Sequence, residues 1–100
     1  MEIEPDRINV IQNAEENRFE VWIEGLLAKL DYTENGGSIA MTHVGVPVEF
    51  RGMGIAAIIT RSALEYARSK SLRVIPICPY VISYLRRNPQ YMELTKNREG

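Results

Sequence analysis

The chain holds a single cysteine, a single histidine and a single tryptophan in 100 residues. Cys78, with no partner thiol, can close no internal disulfide, which suits a reducing cytoplasm. One His and one Cys cannot build a zinc site of the usual kind, so no metal is expected. No apolar run approaches the roughly 20 residues that cross a bilayer, so no membrane partner is expected. The opening Met1-Glu2-Ile3-Glu4-Pro5-Asp6 is acidic and lacks the basic and apolar regions of a signal peptide, which again points to the cytoplasm. The net charge of −1 leaves no broad basic field, so nucleic acid is not an expected partner. No internal repeat, low-complexity segment or linker divides the chain. The expectation is one domain over residues 1–100, frayed at 1–6 and 96–100.

What is present is an ordinary globular composition, 45% hydrophobic and 25% charged. Alternation marks strands at residues 7–12, 18–24, 26–33 and 38–46. In the second, Phe19, Val21 and Ile23 share one face, against Arg18, Glu20, Trp22 and Glu24 on the other. In the third, Leu26, Ala28, Leu30 and Tyr32 fall together. Glu24-Gly25 and Glu34-Asn35-Gly36-Gly37 are the turn signals between them. The fourth strand is apolar on both faces (Ile39 and Met41; Ala40 and Val44), the pattern of a strand covered on both sides. It also places His43 on the face of Ile39 and Met41. The period then lengthens. Ile55, Ile58, Ile59, Ala63, Tyr66 and Ala67 form one helical stripe, with Arg61, Glu65 and Arg68 opposite. A short β-branched strand at 73–78 follows, carrying Pro76. Pro79 sits at the first position of a second helix, and Pro89 stops it. Tyr91 and Leu94 in the tail are placed to pack back. The order β-β-β-β-α-β-α is that of a mixed α+β fold. Its sheet is mostly antiparallel, with one parallel pair formed by strands 38–46 and 73–78.

Between the fourth strand and the first helix lies Val46-Pro47-Val48-Glu49-Phe50-Arg51-Gly52-Met53-Gly54-Ile55-Ala56. An extended run entering two glycines and a helix N-terminus is a phosphate cradle in outline. The spacing matches the relaxed dinucleotide fingerprint. The next strand, however, ends Ile77-Cys78-Pro79, with no acid for a ribose, and the chain lacks a second mononucleotide half. A Walker A loop is excluded because no Gly-Lys-Ser/Thr is present.

Arg51-x-x-Gly54-x-Ala56, after a central strand and opening a helix, resembles the pyrophosphate-binding pattern of the Gcn5-related N-acetyltransferases. More specifically, residues 43–91 are similar to a small group of minimal domains in that superfamily that carry a Cys-Pro motif. The resemblance rests on His43, Val46-Pro47, Arg51-Gly52-Met53-Gly54-Ile55-Ala56, Val74-x-Pro76-x-Cys78-Pro79-Tyr80-Val81, Tyr84 and Pro89-x-Tyr91. Val44 stands where Thr is usual, Met53 where a basic residue is common, and Asn88 where His is common. The first two departures bear on cofactor contacts, and the third leaves a His role unfilled.

The resemblance implies a truncated Gcn5-like fold in which the parallel strands splay. It implies a co-substrate, acetyl-CoA, held at Val46, Val48, Arg51, Gly52, Met53, Gly54, Ile55 and Ala56. The helices that wall the acceptor site in larger relatives have no counterpart, so that side is open or completed by a protein partner. Three side chains are candidates for the chemistry. Cys78, ahead of a helix N-terminus, would lie beside the thioester as nucleophile or acceptor contact, against a bland reading as a small buried hydrophobe. Tyr84 matches the tyrosine that protonates the leaving thiolate in larger relatives; the bland reading is core packing. His43 is recommended only by its titration range. The expected function is acetyl transfer from acetyl-CoA to an unidentified amine, either a small molecule or a protein lysine or N-terminus. The competing reading is a CoA- or acyl-CoA-binding module without significant turnover that acts through a partner.

Overall fold

Paired residues with positive φ close both long hairpins of the chain. They are Glu24 (φ 50°) with Gly25 (φ 78°), and Gly36 (φ 54°) with Gly37 (φ 93°). Two-residue turns of this hand match the right-handed twist of the strands they join. The computed structural model describes residues 8–96. Its elements are β1 (Ile11–Asn13), β2 (Arg18–Ile23), β3 (Leu26–Asn35), β4 (Ser38–Gly45), α1 (Ile55–Ser69), β5 (Arg73–Pro76) and α2 (Pro79–Arg87). The strands lie in chain order, β1-β2-β3-β4-β5; β4 and β5 run parallel and the other neighbours antiparallel. This is the mixed α+β order that the periodicity predicts. Pro76 belongs to β5, at the sheet edge, where its missing N–H costs no ladder bond.

One face of the sheet carries the core. Phe19, Val21, Ala28, Leu30, Tyr32, Ile39, Met41 and Val74 are all buried on it. α1 lays Ile55, Ile59, Ala63 and Ala67 into the same cluster, and α2 adds Val81 and Leu85. The contact between Tyr66 and Phe19, with ring centroids 5.7 Å apart, fixes α1 to that face. Each fully buried branched side chain contributes about 2 kcal/mol, so this stripe is what holds α1 in place. The stripe sits slightly off the predicted one. Thr60 and Leu64 are fully buried, whereas Ile58 and Tyr66 are half-buried, because α1 packs against α2 and the C-terminal turn as well as the sheet.

Four expectations are corrected. β4 is covered on one face only: Ile39 and Met41 are buried, while Thr42 and His43 are exposed. The segment after β4 is not extended throughout, since Val48–Phe50 forms a 3-10 turn that drives Phe50 into the core at 2% exposure. The tail is not irregular either. Pro89–Thr95 is a 3-10 turn that buries Tyr91 and Leu94. The first strand is shorter than expected and starts at Ile11. Its predicted start at Arg7 and the frayed ends lie outside the described residues, apart from exposed Lys96.

Candidate functional site

The two parallel strands part at a single carbonyl. β4 and β5 pair from Ser38↔Arg73 to Met41↔Pro76. There the Met41 carbonyl accepts from both the Ile77 and Cys78 N–H groups, at 3.1 and 3.0 Å. β5 then turns into α2, whereas β4 runs on through Thr42–Gly45 without it. The splay expected between these strands is therefore present. A groove of about 410 Å³ lies at this end of the sheet, lined by His43, Val44, Gly45, Val46, Phe50, Arg51, Gly52, Gly54, Ile55, Ala56 and Tyr80.

A β-bulge shapes the β4 wall. Leu30 pairs with Val44 and Asp31 with His43, but Tyr32 pairs with Met41, which leaves Thr42 as the extra residue. The bulge reverses the alternation beyond it. His43 stands opposite Asp31 on the face away from the core and is exposed. The expectation that it shares the face of Ile39 and Met41 is corrected. Val44 instead turns inward and packs on the core. The His43 ring lies over the backbone of Gly45, so close that a Cβ added there would stand 3.2 Å from Nε2.

The cradle end is built from backbone. Pro47 leads into the 3-10 turn, where the Phe50 N–H donates to the Pro47 carbonyl at 2.9 Å and Met53 N–H to Phe50 at 3.3 Å. Gly52 (φ 84°) and Gly54 (φ 79°) both adopt the left-handed region, where a side chain is strained. Gly54 is the N-cap of α1 and accepts the first helical bond from Ile58 at 3.1 Å. No side chain caps the helix. Among the described residues, the N–H groups of Gly52, Gly54, Ile55 and Ala56 have no backbone acceptor. A Cβ at either glycine would meet nothing within 4 Å, so the space in front of them is open. Unpaired donors, the positive end of a 15-residue helix dipole and exposed Arg51 together make this end suited to an anion.

α2 forms the third wall. Cys78 is its N-cap and Pro79 its first residue; the thiol caps no N–H, and the residue is 5% exposed. Tyr80 faces the groove and is half-buried. Tyr84 is buried between Tyr80 and Tyr91, its ring centroid 6.4 Å from each. Burial pushes its phenol pKa up, outweighing the opposing effect of Arg61. The Tyr91 hydroxyl donates to Glu65 Oε2 at 2.6 Å, which ties the C-terminal turn to α1.

The groove thus gathers His43, Val46, Arg51, Gly52, Gly54, Ile55 and Ala56 from among the residues that the sequence singles out. Val48, Met53, Cys78 and Tyr84 are not on its lining. Val48 is 71% exposed on the 3-10 turn, and Met53 packs against the core. Val44, Gly45, Phe50 and Tyr80 line it without having been named as site residues. Val44 and Gly45 depend on a bulge that nothing in Thr42-His43-Val44 announces. Tyr80 carried a signal, as the aromatic after Cys78-Pro79. Among the described residues no group of three or more His, Cys, Asp or Glu could hold a metal, and no helix is long and apolar enough to cross a membrane.

Comparison with known proteins places these features in a family. A family model described as GCN5-related N-acetyl-transferase matches residues 18–94. The chain is 32% identical to Protein NATD1 of Mus musculus over 91 residues, 86% of this chain and 83% of that protein. With Protein NATD1 of Xenopus tropicalis the identity is 33% over 58 residues, 56% of this chain but only 53% of the frog protein. The chain therefore spans about half the length of some of the curated relatives it matches. Its fold is similar to a solution structure from Staphylococcus aureus described as GCN5-like, with a TM-score of 0.71, 23% identity and coverage of 92% of this chain and 93% of that one.

Proposed function

The chain belongs to the GCN5-related N-acetyltransferase family, and on that premise we propose that it binds acetyl-CoA and transfers the acetyl group to an amine. One observation carries the reading: the unpartnered N–H groups at the start of α1 open into a groove between parted parallel strands. Acetyl-CoA suits those residues. The cradle from Arg51 to Ala56, with its left-handed glycines, would hold the pyrophosphate. The free edge of β4 at Val46 offers main-chain groups to the pantetheine, and Val44, Phe50 and Tyr80 supply an apolar wall. When bound, the co-substrate supplies an activated acetyl group. The protein's work is to position it, polarise the carbonyl and manage two protons.

His43, exposed at the bulge and on the groove lining, is the group placed to take the proton of an incoming amine. Cys78 lies at the strand parting, beneath the groove, and is the candidate for contact with the acetyl carbon. Val48 and Met53 would touch the co-substrate only at the cradle's outer rim. The reaction is expected in the cytoplasm, with residues 1–100 acting as one domain. A second reading is a CoA-binding module without turnover that works through a protein partner. It draws support from the exposed outer face of the sheet, where Trp22 is 53% and Ile75 37% exposed and no wall encloses an acceptor.

Calorimetry with acetyl-CoA and CoA tests the shared premise: saturable binding is expected at micromolar to low millimolar ligand. No binding at millimolar ligand would sink both readings. Release of free CoA in the presence of small amines and basic peptides then separates enzyme from module.

A further inference from the structure

The chain's five tyrosines are Tyr32, Tyr66, Tyr80, Tyr84 and Tyr91. Three of them have their hydroxyls engaged. Tyr32 accepts from Gln12 Nε2 at 2.9 Å, Tyr66 donates to Glu34 at 2.6 Å, and Tyr91 donates to Glu65 at 2.6 Å. Among the described residues no hydrogen-bond partner meets the hydroxyl of Tyr80 or Tyr84, the two phenols of α2. They stand one helical turn apart, at i and i+4, and their rings lean together at 33°. Their surroundings differ. Tyr84 is 7% exposed and closed in by rings on two sides. Tyr80 is half-buried and is the one residue that α2 contributes to the groove lining. The Arg87 guanidinium lies 5.9 Å from its ring centroid, within the range at which a cation is drawn to an aromatic face.

Resting on the acetyltransferase reading above, we infer that Tyr80, rather than Tyr84, is the phenol that gives its proton to the departing CoA sulfur. The step balances within the groove. The amine nitrogen forms the new bond to the thioester carbonyl carbon while the carbon–sulfur bond breaks, and its electron pair stays on sulfur. The Tyr80 O–H proton passes to that sulfur, which leaves as the thiol. The surplus proton of the amine goes to water, directly or by way of His43. The Tyr80 phenolate is reprotonated from solvent, to which the half-buried ring has access, with Arg87 offsetting its transient charge. Tyr84 then backs the Tyr80 ring and holds it against the groove.

The test reads the sulfur rather than the rate alone. CoA bound to the protein is titrated by the ultraviolet absorbance of its thiolate, in wild type and in Tyr80→Phe and Tyr84→Phe. A phenol hydrogen-bonded to the thiolate favours the charged form, so loss of the hydroxyl raises the bound thiol's pKa, by about one unit. The expected result is that rise in Tyr80→Phe, with calorimetric CoA affinity preserved. CoA release in turnover should fall by about 100-fold, mostly in kcat. If CoA binds and its thiol titrates identically in Tyr80→Phe and wild type, or if Tyr84→Phe moves it more, the assignment to Tyr80 is overturned and the acetyl-CoA reading stands. If wild type binds no CoA, both fall together. Tyr80→Phe keeps the ring and its packing, so a folded variant is expected; Tyr80→Trp, which retains a wall but no phenol, gives the same readout.

Discussion

Two polar clusters in this small protein are built on opposite terms. At the start of α1 the donors have no protein acceptor: the N–H groups of Gly52, Gly54, Ile55 and Ala56 face open space. On the outer face of β2 every polar atom of Glu20 is answered. Its Oε2 accepts from Arg18 Nε and from Asn13 Nδ2 at 3.0 Å, and its Oε1 accepts from Trp22 Nε1 at 3.1 Å. Glu20 is only 5% exposed, and a buried charge is tolerated when it is paired and hydrogen-bonded in this way. Unmet donors in an open groove are an invitation to a ligand, whereas a carboxylate met on both oxygens is a rivet. One cluster should therefore govern binding and the other stability, and exchanging the readouts is how the contrast breaks.

The largest effect is expected at the cradle. Gly54→Val puts a β-branched side chain at φ 79° on the N-cap of α1, a strained conformation that costs about 1–2 kcal/mol. To relieve it the turn must reorient the very N–H groups that would hold the pyrophosphate. Losing charge-assisted bonds of this kind costs about 1.5–3 kcal/mol, so CoA affinity should fall by about 100-fold. Calorimetry measures this, and circular dichroism checks that the fold remains. An unchanged affinity would mean that the pyrophosphate sits elsewhere.

Next in size is Glu20→Gln. The amide keeps the shape but loses the charge that Arg18 needs and turns an amino group toward donors. A loss of about 2 kcal/mol of stability is expected, with CoA affinity untouched. Trp22 is the sole tryptophan and is bonded to this carboxylate, so its fluorescence follows the unfolding directly. The same group predicts a pH dependence. The Arg18 hydrogen bond, helped by those from Trp22 and Asn13, holds the Glu20 pKa below its ordinary value of 4.5, against the opposing effect of burial. A depressed carboxylate contributes stability in full above its unfolded pKa and loses it as pH falls through the folded one. Wild type should therefore lose stability below pH 4.5 faster than Glu20→Gln does. Parallel acid limbs in the two proteins would remove Glu20 from the account.

Much of this was legible in the residues. The alternation of Phe19, Val21 and of Ala28, Leu30, Tyr32 names the buried face, and the turn glycines name the hairpins. Gly52 and Gly54 announce the cradle because only left-handed backbone calls for glycine at that spacing. Two things escaped. Alternation places Glu20 beside Arg18 and Trp22 but cannot say that these neighbours, two positions away on either side, fold over the carboxylate and bury it. Nor does any residue type in Thr42-His43-Val44 mark the bulge. It depends on how β3 and β4 register across Asp31 and Tyr32, a property of the pair that neither strand shows alone.

The smallest effect tests that bulge. Gly45 has ordinary φ, so alanine is conformationally welcome there, and a strand gains about 0.5 kcal/mol from replacing glycine. The added methyl carbon would stand 3.2 Å from His43 Nε2, tight enough that the imidazole must move by a few tenths of an ångström. His43 is exposed and can give way cheaply. Gly45→Ala should consequently leave stability level or slightly raised and CoA affinity unaltered, while the His43 ring resonances shift in NMR spectra. Turnover, if His43 takes the amine proton, should drop only several-fold, and the drop should be largest near the histidine's titration. The glycine would then matter for the side chain it leaves room for, and a Gly45→Ala protein with unmoved His43 resonances would show that the ring does not rest on that backbone in solution.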